Sequence, residues 1–154
     1  MSTDPKAAMY RFLECSAGQY MTSPAKTVTP QITMAELGTL FDEHDFNSFP
    51  VVEDGELVGI VTKFDFLAVF AFTRSQMVPH YAELMYRRVA DVMTEAIVHI
   101  DPSAPLTRVL QLMVSLRTRS FPVVDADGRL AGMISREDVM RALRETTQPQ
   151  PTGS

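Results

Sequence analysis

The pentapeptide Ser-Phe-Pro-Val-Val occurs twice, starting at Ser48 and at Ser120, 72 residues apart. Met21-Thr22 and Met93-Thr94 keep the same spacing, as do Pro30 and Pro102. Past a turn the offset grows by one: Gly59 then matches Gly132, and Asp65 matches Asp138. A spacing held over most of the unit marks a duplicated domain. The period is longer than the 20–50 residues of a solenoid repeat. Two such units can bury a shared face around a pseudo-twofold axis.

Each copy predicts the same order of elements. A short extended piece, Lys26 to Val28 or Ile97 to Ile100, is followed by a Pro and a helix. The helix carries Leu37, Leu40, Phe41 and His44 in one copy, and Val109, Leu112, Met113 and Leu116 in the other. Both sets follow the i, i+3, i+4, i+7 spacing of an amphipathic helix. FPVV then reads as a β-branched strand. The turns E-D-G-E and D-A-D-G-R are hairpin signals, because Asp-Gly supplies positive φ. Leu57–Val61 and Leu130–Ile134 are the partner strands, and a helix starts at Thr62 or Ser135. The fold class is mixed α/β (α+β): two β-α-β-β-α units packed sheet to sheet.

Residues 1–19 form an N-terminal amphipathic segment with Met9, Phe12 and Leu13 on one side. It is expected to pack on the module or on a partner chain, since its polar face is not strongly basic. Residues 20–75 and 92–145 are the two units, and 76–91 a helical linker interrupted near Pro79. The run from Phe64 to Phe72 is very apolar, and either an oligomer interface or a cover for its own sheet explains it. The Pro/Gln/Ser-rich tail, 146–154, is expected to be disordered.

Composition narrows the function classes. A 154-residue chain buries about 70% of its unfolded surface and needs no disulfide or metal to fold. The net charge of −5 argues against a nucleic-acid partner, which requires a basic face. The single cysteine, Cys15, excludes an intrachain disulfide and reads as an inert, half-buried thiol. Three scattered histidines, at 44, 80 and 99, make no metal site. There is no secretory signal, and no apolar run approaches the ~20 residues that span a bilayer. A soluble, cytoplasmic protein is expected. There is no P-loop and no patterned nucleophile–base pair, so no catalytic residues are assigned.

The doubled M-T, S-F-P-V-V, and G-I-V-T-K-F-D or G-M-I-S-R-E-D strings resemble a tandem pair of cystathionine-β-synthase (CBS) domains, a Bateman module. The resemblance covers residues 20–145, nearly the whole ordered chain. It implies a non-enzymatic regulatory module. Such pairs bind adenosine-containing ligands (AMP, ADP, ATP, NAD or S-adenosylmethionine) in clefts between the repeats. They report to an effector, here one on another chain, and a homodimer forming a flat disc is implied.

By that resemblance Asp65 and Asp138 are ribose ligands, and Thr62 and Ser135 their phosphate- or ribose-side partners. The chemistry is consistent: a carboxylate can accept from two vicinal hydroxyls, and helix starts gather unpaired amide donors. The same S/T-x-x-D string is also a loose capping box, so capping and binding both remain open. Phe49, Pro50, Phe121 and Pro122 are expected to line the adenine pocket, with Thr27 and His99 facing them. His99 either meets the base or is a partly exposed strand residue. Lys63 and Arg136 can reach phosphate. Arg117 and Arg119 stand where the first repeat has Asp45 and Asn47. They either fork a phosphate of the ligand held by Asp65 or sit as a solvated helix end. The alternative to a sensor is a protein-interaction module with vestigial clefts.

Overall fold

A computed structural model describes residues 4–71, 81–95 and 97–147. The expectations placed on residues 72–80, which include Phe72 and Pro79, and on the tail beyond 147 lie outside the described residues. The chain forms two compact units: Met1–Ala25 with Val98–Ser154, and Lys26–Ile97. Helices and small antiparallel sheets alternate in both, which bears out the mixed α/β class.

In Lys26–Ile97, helix α3 (Met34–Glu43) leads into β1 (Ser48–Glu53), β2 (Glu56–Thr62) and α4 (Lys63–Val69). Thr33 and Glu36 cap α3 reciprocally. A further helix, α5, is described over residues 81–85. Strands β1 and β2 pair from Ser48↔Thr62 to Glu53↔Glu56. Asp54 and Gly55 turn the chain with φ of 53° and 81°, the twist a two-residue hairpin requires. Phe49, Val51 and Val61 point into a core with Met34, Leu37 and Val89. Phe66, Val69 and Phe70 pack there too, with the Phe41 ring 4.9 Å from that of Phe49. Phe64 and Leu67 instead stay exposed, at 79% and 62%. The apolar run thus covers its own sheet with one face and leaves the other bare.

The second unit repeats the order with α6 (Leu106–Leu116), β3 (Ser120–Val124), β4 (Leu130–Ser135) and α7 (Arg136–Thr147). Its turn is one residue longer. Gly128 takes φ 80°, the Asp125 carbonyl accepts from the Gly128 amide, and the Asp125 amide donates to the Arg129 carbonyl. That extra residue is the step from 72 to 73 in the repeat spacing. Two N-terminal helices, α1 (Pro5–Leu13) and α2 (Ala17–Tyr20), belong to this unit. Ala8, Phe12 and Cys15 are buried, whereas Met9 and Leu13 are nearly half exposed. The expected apolar face of α1 is therefore corrected. The helix docks through small Ala8 and the ring of Phe12, which joins the core of Val109, Phe121 and Ile134.

The first extended piece of each repeat is a one-residue bridge. Val28 pairs in parallel with Val51, and Ile100 with Val123. Proline explains the brevity. Val28 donates to the Pro50 carbonyl and accepts from Val52. The next rung needs an N–H from residue 50, and proline has none. Pro122 ends the Ile100 bridge in the same way. Both prolines are buried third residues of their strands. Each proline thus marks the end of a ladder, where its missing donor costs nothing.

The Met-Thr pairs close the sheets. Thr22 exchanges backbone bonds with Met133 in β4, and Thr94 with Ile60 in β2. Each pair thereby completes a hairpin that belongs, in sequence, to the other repeat.

Candidate functional site

One end of each sheet gathers the expected site residues. Ser48 faces Thr62 where β1 begins and β2 ends, and the parallel bridge of Val28 brings Thr27 to the same end. Thr27 is exposed, Pro50 is buried, and Thr62, Lys63 and Asp65 are half-buried. In the second unit Ser120 faces Ser135, and the Ile100 bridge brings His99 alongside. His99 is exposed.

Both S/T-x-x-D strings are capping boxes. The Asp65 amide donates to Thr62 Oγ1 at 3.0 Å, and the Thr62 amide to Asp65 Oδ2 at 2.9 Å. The amides of Ser135 and Asp138 make the corresponding bonds at 2.9 and 3.2 Å. The Lys63 and Arg136 amides donate to the carbonyls of Asn47 and Arg119, both at 2.9 Å. The expected gathering of unpaired amides is therefore largely absent. The caps and the preceding loop take the donors of the N-cap, the first and the third helical residue.

Beyond the cap the two carboxylates differ. Asp138 is 5% exposed. Its Oδ2 also accepts from the Ser135 hydroxyl at 2.9 Å, and its Oδ1 lies 3.4 Å from Arg141 Nη1. Asp65 Oδ1 has no partner among the described residues, and the Thr62 hydroxyl donates to none of them.

Phe49 and Phe121, expected in the adenine pocket, are 0% and 2% exposed and belong to the cores of their units. What either can offer a ligand is backbone. Arg117 is exposed at the C-terminal cap of α6 with φ 52°, its amide bonded to Met113. Arg119 is exposed, and its carbonyl receives the Arg136 amide. The Arg136 side chain pairs with Glu137 at 3.1 Å.

Arg141 and Tyr20 were missed in the sequence. Arg141 Nη2 donates to the Tyr20 carbonyl at 3.0 Å, and its guanidinium lies 5.5 Å from the ring centre. The Tyr20 hydroxyl donates to Glu145 at 3.0 Å. Asp138, Arg141 and Glu145 stand at i, i+3 and i+7, a spacing that puts them on one helix face. Nothing local marks Tyr20. Tyr20, Arg141 and Glu145 border an open groove of about 540 Å³, which Cys15 also lines. Cys15 is buried, its thiol donates to the Arg11 carbonyl at 3.3 Å, and burial pushes its pKa up.

The β-α-β-β-α order recurs in the two repeats, with a capping carboxylate at the start of each second helix. The CBS domain family model matches residues 17–71 and 89–145, and the chain belongs to that family as a tandem pair. It is 29% identical to the chloroplastic CBS domain-containing protein CBSX1 of Arabidopsis thaliana, over 92% of this chain and 67% of that one. It spans only 48% and 45% of two relatives from Methanocaldococcus jannaschii. Among solved structures it is similar to CBSX2 in complex with AMP, with a TM-score of 0.75 and 28% identity. The match covers 86% of this chain and 98% of that one. The CBS pair of protein MJ0100, in complex with 5'-methylthioadenosine and S-adenosyl-L-methionine, shares the fold at a TM-score of 0.68 and 22% identity. That alignment covers 85% and 97% of the two chains. No helix among the described residues is long and apolar enough to cross a membrane.

Proposed function

We propose that the chain is a non-enzymatic, cytoplasmic sensor that binds an adenosine-containing ligand and signals to a separate partner. One observation carries the reading. Asp65 Oδ1 and the Thr62 hydroxyl put an acceptor and a donor side by side at a sheet end; among the described residues the oxygen accepts from none and the hydroxyl donates to none. A ribose diol donates to such a carboxylate. A ribose or phosphate oxygen accepts from the hydroxyl. Membership of the CBS family and the AMP bound by a 28% identical relative favour an adenosyl ligand over other diols.

In this reading the backbone at Phe49 and Pro50, with Thr27, flanks the base, as Phe121, Pro122 and His99 do in the second repeat. Lys63, Arg136, Arg117 and Arg119 are the candidate phosphate partners. AMP, ADP, ATP, NAD and S-adenosylmethionine are the candidate ligands. Signalling is a population shift: the ligand must bind one arrangement of the chain, or of its homodimer, better than another.

The test is calorimetric titration of these five compounds into wild type, Asp65→Ala and Asp138→Ala. Saturable binding of one compound, lost in one variant, supports the reading and names the working carboxylate. A folded protein that binds none of them sinks it.

The second reading is an interaction module with vestigial clefts. The exposure of Phe64 and Leu67 on α4 favours it. A partner or dimer contact that survives Asp65→Ala but not Phe64→Ser would support it.

A further inference from the structure

Arg141 gives the two repeats unequal carboxylates. The guanidinium is anchored on several sides: 3.4 Å from Asp138 Oδ1, 3.0 Å from the Tyr20 carbonyl, and 3.9 Å from Glu145 Oε1. The Tyr20 ring lies against it, adding a cation–π contact. Asp138 therefore meets two donors from Ser135 on one oxygen and a fixed cation on the other. A diol that bonds Asp138 must displace some of these. Removing Arg141 from a 7% exposed carboxylate leaves a buried charge without its counter-ion, which is strongly unfavourable.

The first repeat has no such arrangement. The residue three places beyond Asp65 is Ala68, an exposed position on α4. Asp65 Oδ1 is unengaged among the described residues, and Asp65 itself is only half-buried. A diol can reach it while both bonds of the capping box stay intact.

We propose that Arg141 is a specificity residue that closes the second repeat's carboxylate to ribose. Ligand binding thereby falls to Asp65, with one adenosyl ligand per chain. The inference rests on the sensor reading above and adds which repeat works and what silences the other.

The test uses full-length protein and whichever of AMP, ADP, ATP, NAD and S-adenosylmethionine wild type binds most tightly. Wild type is expected to bind one equivalent. Arg141→Ala is expected to bind two. Ala68→Arg places the same cation three residues after Asp65 and is expected to weaken binding at least tenfold. It does so without touching the core, so it decides the matter even if Arg141→Ala does not fold. Two equivalents in wild type overturn the inference but leave the sensor reading standing. So does loss of binding in Asp138→Ala with Asp65→Ala unaffected, or an Ala68→Arg variant that binds like wild type. No binding of any compound by folded wild type overturns both.

Discussion

Gly132 lies directly beneath Thr22: a Cβ built on it would stand 2.6 Å from the Thr22 carbonyl oxygen. The contact is backbone against backbone, so no rotamer can relieve it. The matching Gly59 would meet the Met93 sulfur at 2.8 Å and the Thr94 carbonyl at 3.0 Å. The sulfur ends a flexible side chain and can yield. Gly132→Ala is therefore expected to destabilise by on the order of 1–3 kcal/mol, and Gly59→Ala by less. Urea denaturation of the two variants checks the order.

Phe12 is 2% exposed, whereas Met9 and Leu13 on the same helix are 47% and 45% exposed. Phe12→Ala is expected to cost about 3–5 kcal/mol. Met9→Ala and Leu13→Ala should stay within about 1 kcal/mol. Thermal melts of the three distinguish the docking face observed here from the one expected from periodicity. Equal losses at all three positions would contradict it.

The capping boxes act whether or not a ligand binds. Thr62→Ala is expected to lose about 1 kcal/mol, a usual N-cap effect. Ser135→Ala should lose more, on the order of 2 kcal/mol. It removes a cap and also strips a hydroxyl donor from a buried carboxylate. Chemical denaturation without nucleotide measures both. Thr62→Ser, which keeps the hydroxyl, should recover most of the Thr62→Ala loss.

Alkaline pH should loosen the unit that holds the N-terminal helices. Burial raises the Cys15 pKa above 9.0, against a smaller opposing influence of the neighbouring Tyr20. Burial and then the bond to Glu145 raise that of Tyr20 above 10.0. Both groups hold their protons more tightly folded than unfolded. Their contribution is full below the unfolded values and is lost as the pH rises through the higher folded ones. The urea midpoint should hold steady up to about pH 8 and then fall. The Cys15→Ala, Tyr20→Phe double variant should fall less steeply. The native thiol should also react slowly with iodoacetamide, at a rate that rises with pH.

Much of this was legible in the sequence because it is local or repeated. SFPVV followed by a D-G turn and an apolar run specifies its own hairpin, and the pairings Phe49↔Val61 and Phe121↔Ile134 follow from it. S/T-x-x-D announced both a helix start and a candidate site, and capping is the part the structure supplies directly. What stayed hidden is non-local. No pattern near Phe49 says that its ring joins a core with Met34 and Val89. The bridge that Pro50 ends is formed by Val28, far upstream. The hold of Arg141 on Tyr20 spans 121 residues. The inequality of Asp65 and Asp138, which look alike in the aligned repeats, depends on it.

The Met-Thr pairs also fix a schedule. When a ribosome has finished the first repeat, Thr22 has no strand to join, because Met133 has not been made. Domains generally fold as units during synthesis, N-terminal parts first. Here the earliest segment must wait for the last. The unit that can close first is the internal one, Lys26–Ile97, once Thr94 has emerged to pair with Ile60. Cutting the gene at the repeat boundary would therefore yield two polypeptides that each carry the other's missing strand.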